Sequence, residues 1–300
     1  MKRFILLVQV LLVCFAAGAQ SPEFKNYPLP SNPDTLRILA IGNSFSDDAT
    51  QWLPDLLEAA GIHNVILGRL YIGGCTLERH CKEFETKGHE YVYMKSTRNK
   101  WETVKRYKEG CFMDGLGDEK WDIVTLQQGS PRSGQWNTYD PWLGNLIKIV
   151  RENCPNPECT IVWHQTWAYA SDWTNKSFAN YAYDQQLMYD SILACVRKLR
   201  KDYDIPTVIP SGVTVQILRG TKWNTAKDLT RDGFHMDYKY GRYATACTWF
   251  ETLIKPTLGV SVKGNGCVLE GTGQDMTAKE ARALQNAAVK ACRFWQQGEN

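Results

Sequence analysis

Two short stretches of the 300-residue sequence hold side chains that could carry out covalent chemistry together. In the first, Ser44 follows the apolar run Leu36 to Ile41 and the turn Gly42-Asn43. A serine hydroxyl is a weak nucleophile at neutral pH until a base takes its proton, and that base needs a carboxylate to orient it. The second stretch, Asp232-Gly233-Phe234-His235, offers a carboxylate and an imidazole within one loop. Position alone leaves an alternative in which Ser44 or Ser46 only caps the helix that follows, since serine is a favoured N-cap residue. The joint presence of Asp232 and His235 favours the nucleophile. Metal chemistry has less support, because no C-x-x-C occurs and His63, His80, His89, His164 and His235 are scattered without H-E-x-x-H spacing. Gly264-Asn265-Gly266 and Gly271-Thr272-Gly273 read as turns, since they neither follow a strand nor open a phosphate-cradling helix. No cofactor is expected.

The elements that must position these residues can be read from hydrophobic spacing. Leu36–Ile41 is a predicted buried strand; Trp52, Leu53, Leu56, Leu57 and Ala60 have helical spacing, with Asp47 or Asp48 available as N-cap and Gly61 as terminator. Further strands are predicted at Val65–Tyr71, Asp122–Leu126, Thr160–Trp163 and Thr207–Ile209, and helices at Trp142–Asn153, Tyr181–Tyr203, Val213–Leu218 and Tyr240–Leu253. Alternating strands and helices predict an α/β three-layer sandwich with a central five-stranded, mainly parallel sheet. In such a sheet the ligand crevice lies beyond the carboxyl ends of the strands, where Ser44 falls. Residues 83–109, rich in Lys, Tyr and Glu, read as an insertion with a hairpin at Tyr91-Val92-Tyr93. A last amphipathic helix is expected over Met276–Trp295, with Thr277 as N-cap and Glu280 completing a capping box. One domain over residues 34–300 accounts for these elements.

The sequence resembles the SGNH (GDSL-type) hydrolase superfamily, on three blocks. Ile41-Gly42-Asn43-Ser44-Phe45-Ser46 matches the first, with Asn43 where the name-giving motif has Asp and Phe45 where it has Leu; Ile72-Gly73-Gly74-Cys75-Thr76 matches the second, and Asp232-Gly233-Phe234-His235 the last. The resemblance spans Leu36 to about Leu253 and implies a flavodoxin-like fold, with Ser44, His235 and Asp232 as the catalytic residues. It also implies an oxyanion hole that includes the N–H groups of Ser44 and Gly74. The third block departs from the superfamily's G-x-N-D, since the third predicted strand ends Leu126-Gln127-Gln128-Gly129-Ser130. A glutamine amide is the same donor as asparagine on a longer arm, so Gln127, or else Gln128, is the expected replacement; the alternative leaves both glutamines structural. Asn43, Gln128, His164 and Trp167 are the expected substrate-binding residues, and Trp136, Trp173 and Trp223 lie in polar loops. Flat aromatics beside hydrogen-bonding groups suit a sugar ring, so the sequence implies a serine esterase acting on an acylated carbohydrate. The alternatives are a non-catalytic carbohydrate-binding surface protein, or a lipase or thioesterase for longer acyl chains.

Composition bounds the partners. The chain is 43% hydrophobic and 22% charged with a formal net charge of +3. This is an ordinary globular balance without the basic face that nucleic acid requires. Met1-Lys2-Arg3, the apolar stretch Phe4 to Phe15 and Ala17-Gly18-Ala19 read as a signal peptide cleaved after Ala19, followed by a leader over residues 20–33. The expected location is secreted or periplasmic, with no membrane span. Of the 10 cysteines, Cys14 lies in that signal, and Cys154 and Cys159, flanking a proline-rich turn, are the first candidate bridge.

Overall fold

The computed structural model describes residues 24–97, 100–225 and 227–295; the predicted signal peptide lies outside them. Strand β1 (Leu36–Gly42) is followed by helices α1 (Ser44–Thr50) and α2 (Leu53–Ala59), strand β2 (Val65–Tyr71) and helix α3 (Leu77–Glu85). Strands β3 (Tyr91–Ser96) and β4 (Glu102–Gly110), helix α4 (Phe112–Leu116), strand β5 (Ile123–Leu126), helix α5 (Trp142–Asn153) and strand β6 (Thr160–His164) come next. The chain then forms α6 (Gln185–Asp202), β7 (Val208–Ile209), α7 (Ser211–Arg219), α8 (Tyr240–Trp249), α9 (Lys255–Leu258) and α10 (Ala278–Cys292).

These strands form one sheet in the order β4-β3-β2-β1-β5-β6-β7. The five predicted strands are its parallel part, with β1 between β2 and β5. The count of five is corrected to seven. Strands β3 and β4 form the expected hairpin, while residues 83–85 close helix α3, and β3 extends the sheet antiparallel to β2. Alternation within the insertion revealed the hairpin, but which edge it joins is a tertiary property. Its connection also reaches α1, where Trp101 donates to the Thr50 carbonyl and its ring covers the guanidinium of buried Arg69, 3.6 Å away. Arg69 in turn pairs with Asp47.

Central strands β5 and β6 are buried at every residue, as expected of parallel strands covered on both faces. Helices α1, α2, α7, α8 and α10 pack into one layer and α3, α4 and α5 into another. Along the chain the parallel strands follow the doubly wound order in which connections reverse direction beside β1, so a crevice opens at the carboxyl ends of β1 and β5. Residues 24–33 belong to this body. Asn26 exchanges two hydrogen bonds with the Ile161 backbone, and Phe24 stacks on Tyr203.

Helix α1 starts earlier than its hydrophobic spacing predicts. Asn43 is the N-cap and accepts from the Phe45 N–H, which makes Ser44 the first helical residue and removes Asp47, Asp48 and Ser46 from the capping role. At the other end of the chain, Thr277 and Glu280 form a reciprocal capping box at the start of α10. Among the described residues no helix is long and apolar enough to cross a membrane.

The nine described cysteines are free thiols. Cys159 donates to the Cys154 sulfur, and this bond lowers the Cys154 pKa below the ordinary thiol value. A thiolate is the attacking species in disulfide formation. Protein refolded in a glutathione redox buffer and mapped without reduction is therefore expected to yield a linked Cys154–Cys159 peptide before any other pair. Both thiols remaining alkylatable would contradict this.

Candidate active site

Residues from the two ends of the fold meet in the crevice. Ser44 stands at the start of α1, directly beyond β1, so its own N–H belongs to the first helical turn, which has no intrahelical acceptor. His235 arrives on the loop before α8, and its Nε2 lies 2.8 Å from Ser44 Oγ. On the other side of the ring, Nδ1 is 2.6 Å from Asp232 Oδ2. A carboxylate only accepts, so Nδ1 carries the proton; in the neutral ring Nε2 is then the acceptor and the Ser44 hydroxyl donates to it. Burial alone would raise the Asp232 pKa, but the His235 ring and the Phe234 and His235 N–H groups all donate to it and hold it below the ordinary carboxylate value. The carboxylate therefore stays ionised at neutral pH.

The loop bearing His235 is tied down at several points. Asp48 of α1, 0% exposed, accepts from Arg231, Arg242 and the Met236 N–H. Gly233 has φ +102, and a side chain there would collide with the Trp173 ring. Gly233 also receives a hydrogen bond at its carbonyl from Ala170 N–H, 2.7 Å. Asp228 anchors the neighbouring loop by accepting from Ser171 N–H, Ser171 Oγ, Gln185 and Asn224.

Beneath Ser44 lies a floor of neutral hydrogen bonds that corrects the expected roles of the strand-end amides. Gln127 is 1% exposed; its Nε2 donates to Asn43 Oδ1, 2.8 Å, and its Oε1 accepts from His164 Nδ1, 2.8 Å. Turned toward the core, this amide is not the oxyanion donor expected from the sequence. His164 also bonds Ser211 through Nε2, and burial lowers its pKa to about 3, so it stays neutral and out of the pocket. Gln128 caps α3 by accepting from the Leu77 N–H and donates to Thr138; it too is structural. Trp167 is fully buried, stacked on Phe45 at 4.2 Å, and donates to the Phe234 carbonyl. Of the four expected substrate contacts only Asn43 borders the pocket, and its side chain is occupied by Cys75 O, Phe45 N–H and Gln127.

The open space beside Ser44 and His235 is about 370 Å³ and is bordered by Gly73, Gly74, Tyr71, Tyr169, Trp173 and Phe234, with Ser130, Asn175 and Ser177 adding polar groups. Gly74 adopts φ +62, which a glycine reaches at no steric cost. Ser130 Oγ and Tyr169 Oη lie 3.0 Å apart. Sequence reading gave Ser130 no role, although it falls just beyond a predicted strand; Tyr169 belongs to the aromatic stretch after the fourth predicted strand, where pocket-lining residues are expected, and it reaches the pocket. Among the described residues no group of three or more His, Cys, Asp or Glu side chains could hold a metal.

Two stability outcomes follow from the loop geometry. Gly233→Ala combines an unfavourable backbone with a clash against Trp173 and is expected to cost about 2 kcal/mol or more in urea denaturation; an unchanged midpoint would refute the packing. Asp228 experiences a burial effect that raises its pKa, but its four donors outweigh it and depress the pKa strongly. Its stabilisation is thus present above the unfolded carboxylate value of about 4 and lost as pH falls through the folded one. Asp228→Asn, which tolerates the left-handed backbone there (φ 50), should lower the urea midpoint at neutral pH and converge on wild type in strong acid. A gap independent of pH would contradict it.

Comparison with known proteins places the chain. Residues 37–291 match the family model described as Domain of unknown function (DUF4886). The crystal structure of a DUF4886 family protein from Bacteroides uniformis is 37% identical, with a TM-score of 0.78 over 87% of this chain and 96% of that chain. An acetylxylan esterase from Geobacillus stearothermophilus is 13% identical, with a TM-score of 0.46 over 75% and 95% of the two chains. A GDSL-like lipase from Bacteroides thetaiotaomicron is 16% identical, with a TM-score of 0.41 over 73% and 85%. No curated protein matches. On the extent of the family match and the similarity to the B. uniformis protein, the chain belongs to the DUF4886 family.

Proposed function

We propose that the protein is a secreted serine esterase of SGNH type that removes acetyl or another small acyl group from carbohydrate. The observation that carries the reading is the unbroken line from Ser44 Oγ through His235 to Asp232, at 2.8 Å and 2.6 Å, on the wall of a pocket. In the proposed cycle Ser44 attacks the ester carbonyl while His235 Nε2 takes the hydroxyl proton; the imidazolium, held by Asp232, then protonates the leaving alcohol. The developing oxyanion is received by the backbone N–H groups of Ser44 and Gly74. Water, deprotonated by His235, attacks the acyl-enzyme and releases the acid, returning Ser44. Side chains, backbone amides and water account for every step.

Pocket chemistry supports a small acyl group on a sugar. Aromatic rings from Tyr71, Tyr169, Trp173 and Phe234 alternate with hydroxyl and amide groups from Ser130, Ser177 and Asn175. That mixture matches a pyranose, which has apolar C–H faces and a rim of hydroxyls, better than a long alkyl chain. Export rests on the basic and apolar segments of residues 1–19, and the catalytic domain on residues 34–300.

A fluorophosphonate probe is expected to label the wild type at Ser44 and to leave Ser44→Ala unlabelled. On p-nitrophenyl acetate, Asp232→Asn should lower kcat by about 10⁴-fold and His235→Ala by at least as much. An unlabelled, inactive wild type would sink the esterase reading, and a preference for long-chain over acetyl esters would sink its small-acyl part.

A further inference from the structure

The catalytic pocket does not end at Trp173. A second recess is lined by Ser171, Asp172, Trp173, Thr174 and Tyr183, so one indole borders both spaces. Trp173 is held in place from behind. Its backbone N–H donates to the Ala170 carbonyl, its ring lies 5.3 Å from Phe234, and the absence of a side chain at Gly233 makes room for it. The start of its loop is fixed by the two hydrogen bonds from Ser171 to Asp228.

Tyr183 is presented in an unusual way. It is 48% exposed, and both it and Ala182 have left-handed backbones, φ 57 and φ 51. Two successive non-glycine residues in that region oppose the ordinary steric preference of L-residues. The turn is kept by the Tyr183 N–H donating to Phe178 O and the Asp184 N–H to Tyr181 O, and the ring meets Phe178 edge-on. A large aromatic ring is thus held at the surface beside an anchored indole. Around them Asp172 and Thr174 have exposed side chains that can bond hydroxyl groups.

We infer that this recess is a binding subsite for a second sugar ring, so that the substrate is an acylated oligosaccharide or polysaccharide rather than a monosaccharide ester. The acylated residue occupies the pocket at Ser44, and its neighbour in the glycan lies on the Trp173 and Tyr183 rings with its hydroxyls toward Asp172 and Thr174. The inference rests on the esterase reading and deepens it by naming a polymeric leaving group.

The test compares kcat/KM on chemically acetylated xylotetraose, mannotetraose and cellotetraose with that on the corresponding acetylated monosaccharides, and with p-nitrophenyl acetate as a substrate that has no second ring. Wild type is expected to favour at least one tetraose over its monosaccharide by about tenfold or more, the scale of one well-formed ring contact. Tyr183→Asn keeps a residue that tolerates the left-handed backbone and removes the ring; it should collapse that ratio through KM. Tyr183→Phe retains the ring and should preserve it. A wild type that hydrolyses p-nitrophenyl acetate but shows no chain-length preference on any of the three glycans overturns the subsite alone. So does a Tyr183→Asn ratio within about twofold of wild type, a change too small for a lost ring contact. Wild type inactive on every ester and unlabelled by fluorophosphonate fails the esterase reading instead.

Discussion

Asp48 is the point on which the site depends. Ser44 and His235 are 191 residues apart in sequence, and nothing in either segment alone brings them together. One turn beyond Ser44 on the same helix, the Asp48 carboxylate enters the protein interior and is met by Arg231 and Arg242, which bracket the His235 loop and the start of α8. It also takes the N–H of Met236, the residue next to His235. A buried carboxylate without compensating partners is strongly unfavourable, and breaking a buried pair costs about 3–5 kcal/mol. The loop is therefore docked on α1 by an interaction that is expensive to lose, and Ser44 and His235 are held in register.

The loop itself is arranged so that few backbone groups are left without partners. Arg231 N–H donates to the His235 carbonyl, the Gly233 N–H to Thr230 Oγ1, and the Phe234 carbonyl receives the Trp167 indole. Asp232 Oδ1 takes the Phe234 and His235 N–H groups while Oδ2 faces the ring. One carboxylate thus shapes the turn and orients the imidazole. Such preorganisation lowers the entropy lost when a reacting geometry is reached.

Much of this was legible in the sequence because it depends on local spacing. The five parallel strands were visible as apolar runs, and Ser44 with Asp232 and His235 as residue types at strand ends and loops. What escaped depends on direction. Gln127 sits at the strand end where an oxyanion donor was expected, but the absence of a side chain at Gly42 opens space on the core side, and the amide turns inward to join Asn43 and His164. Trp167 lies in a polar-looking stretch, yet stacking on Phe45 buries it completely. Tyr169, two residues further on, reaches the pocket. No periodicity separates these two, since the segment after β6 is irregular and each ring is placed by tertiary packing. The hairpin's position has the same origin: its alternation is local, but the Arg69–Trp101 contact beside α1 is not.

The inward turn of Gln127 also changes what the crevice asks of its backbone. With the glutamine amide turned to the floor, the pocket is bordered here by Ser44 at the head of α1 and the glycine turn at Gly73-Gly74. Both are fixed by the same residue. Asn43 caps α1 through its Oδ1 and grips the carbonyl of Cys75 through its Nδ2, 2.9 Å, so the helix end and the glycine turn cannot shift independently. Gln127 then holds Asn43 from below, backed by His164 and Ser211. Through Asn43 the Gln127 side chain stiffens both the helix end and the glycine turn. Because every member of that chain is neutral, the floor adds no charge that would oppose the imidazolium above it.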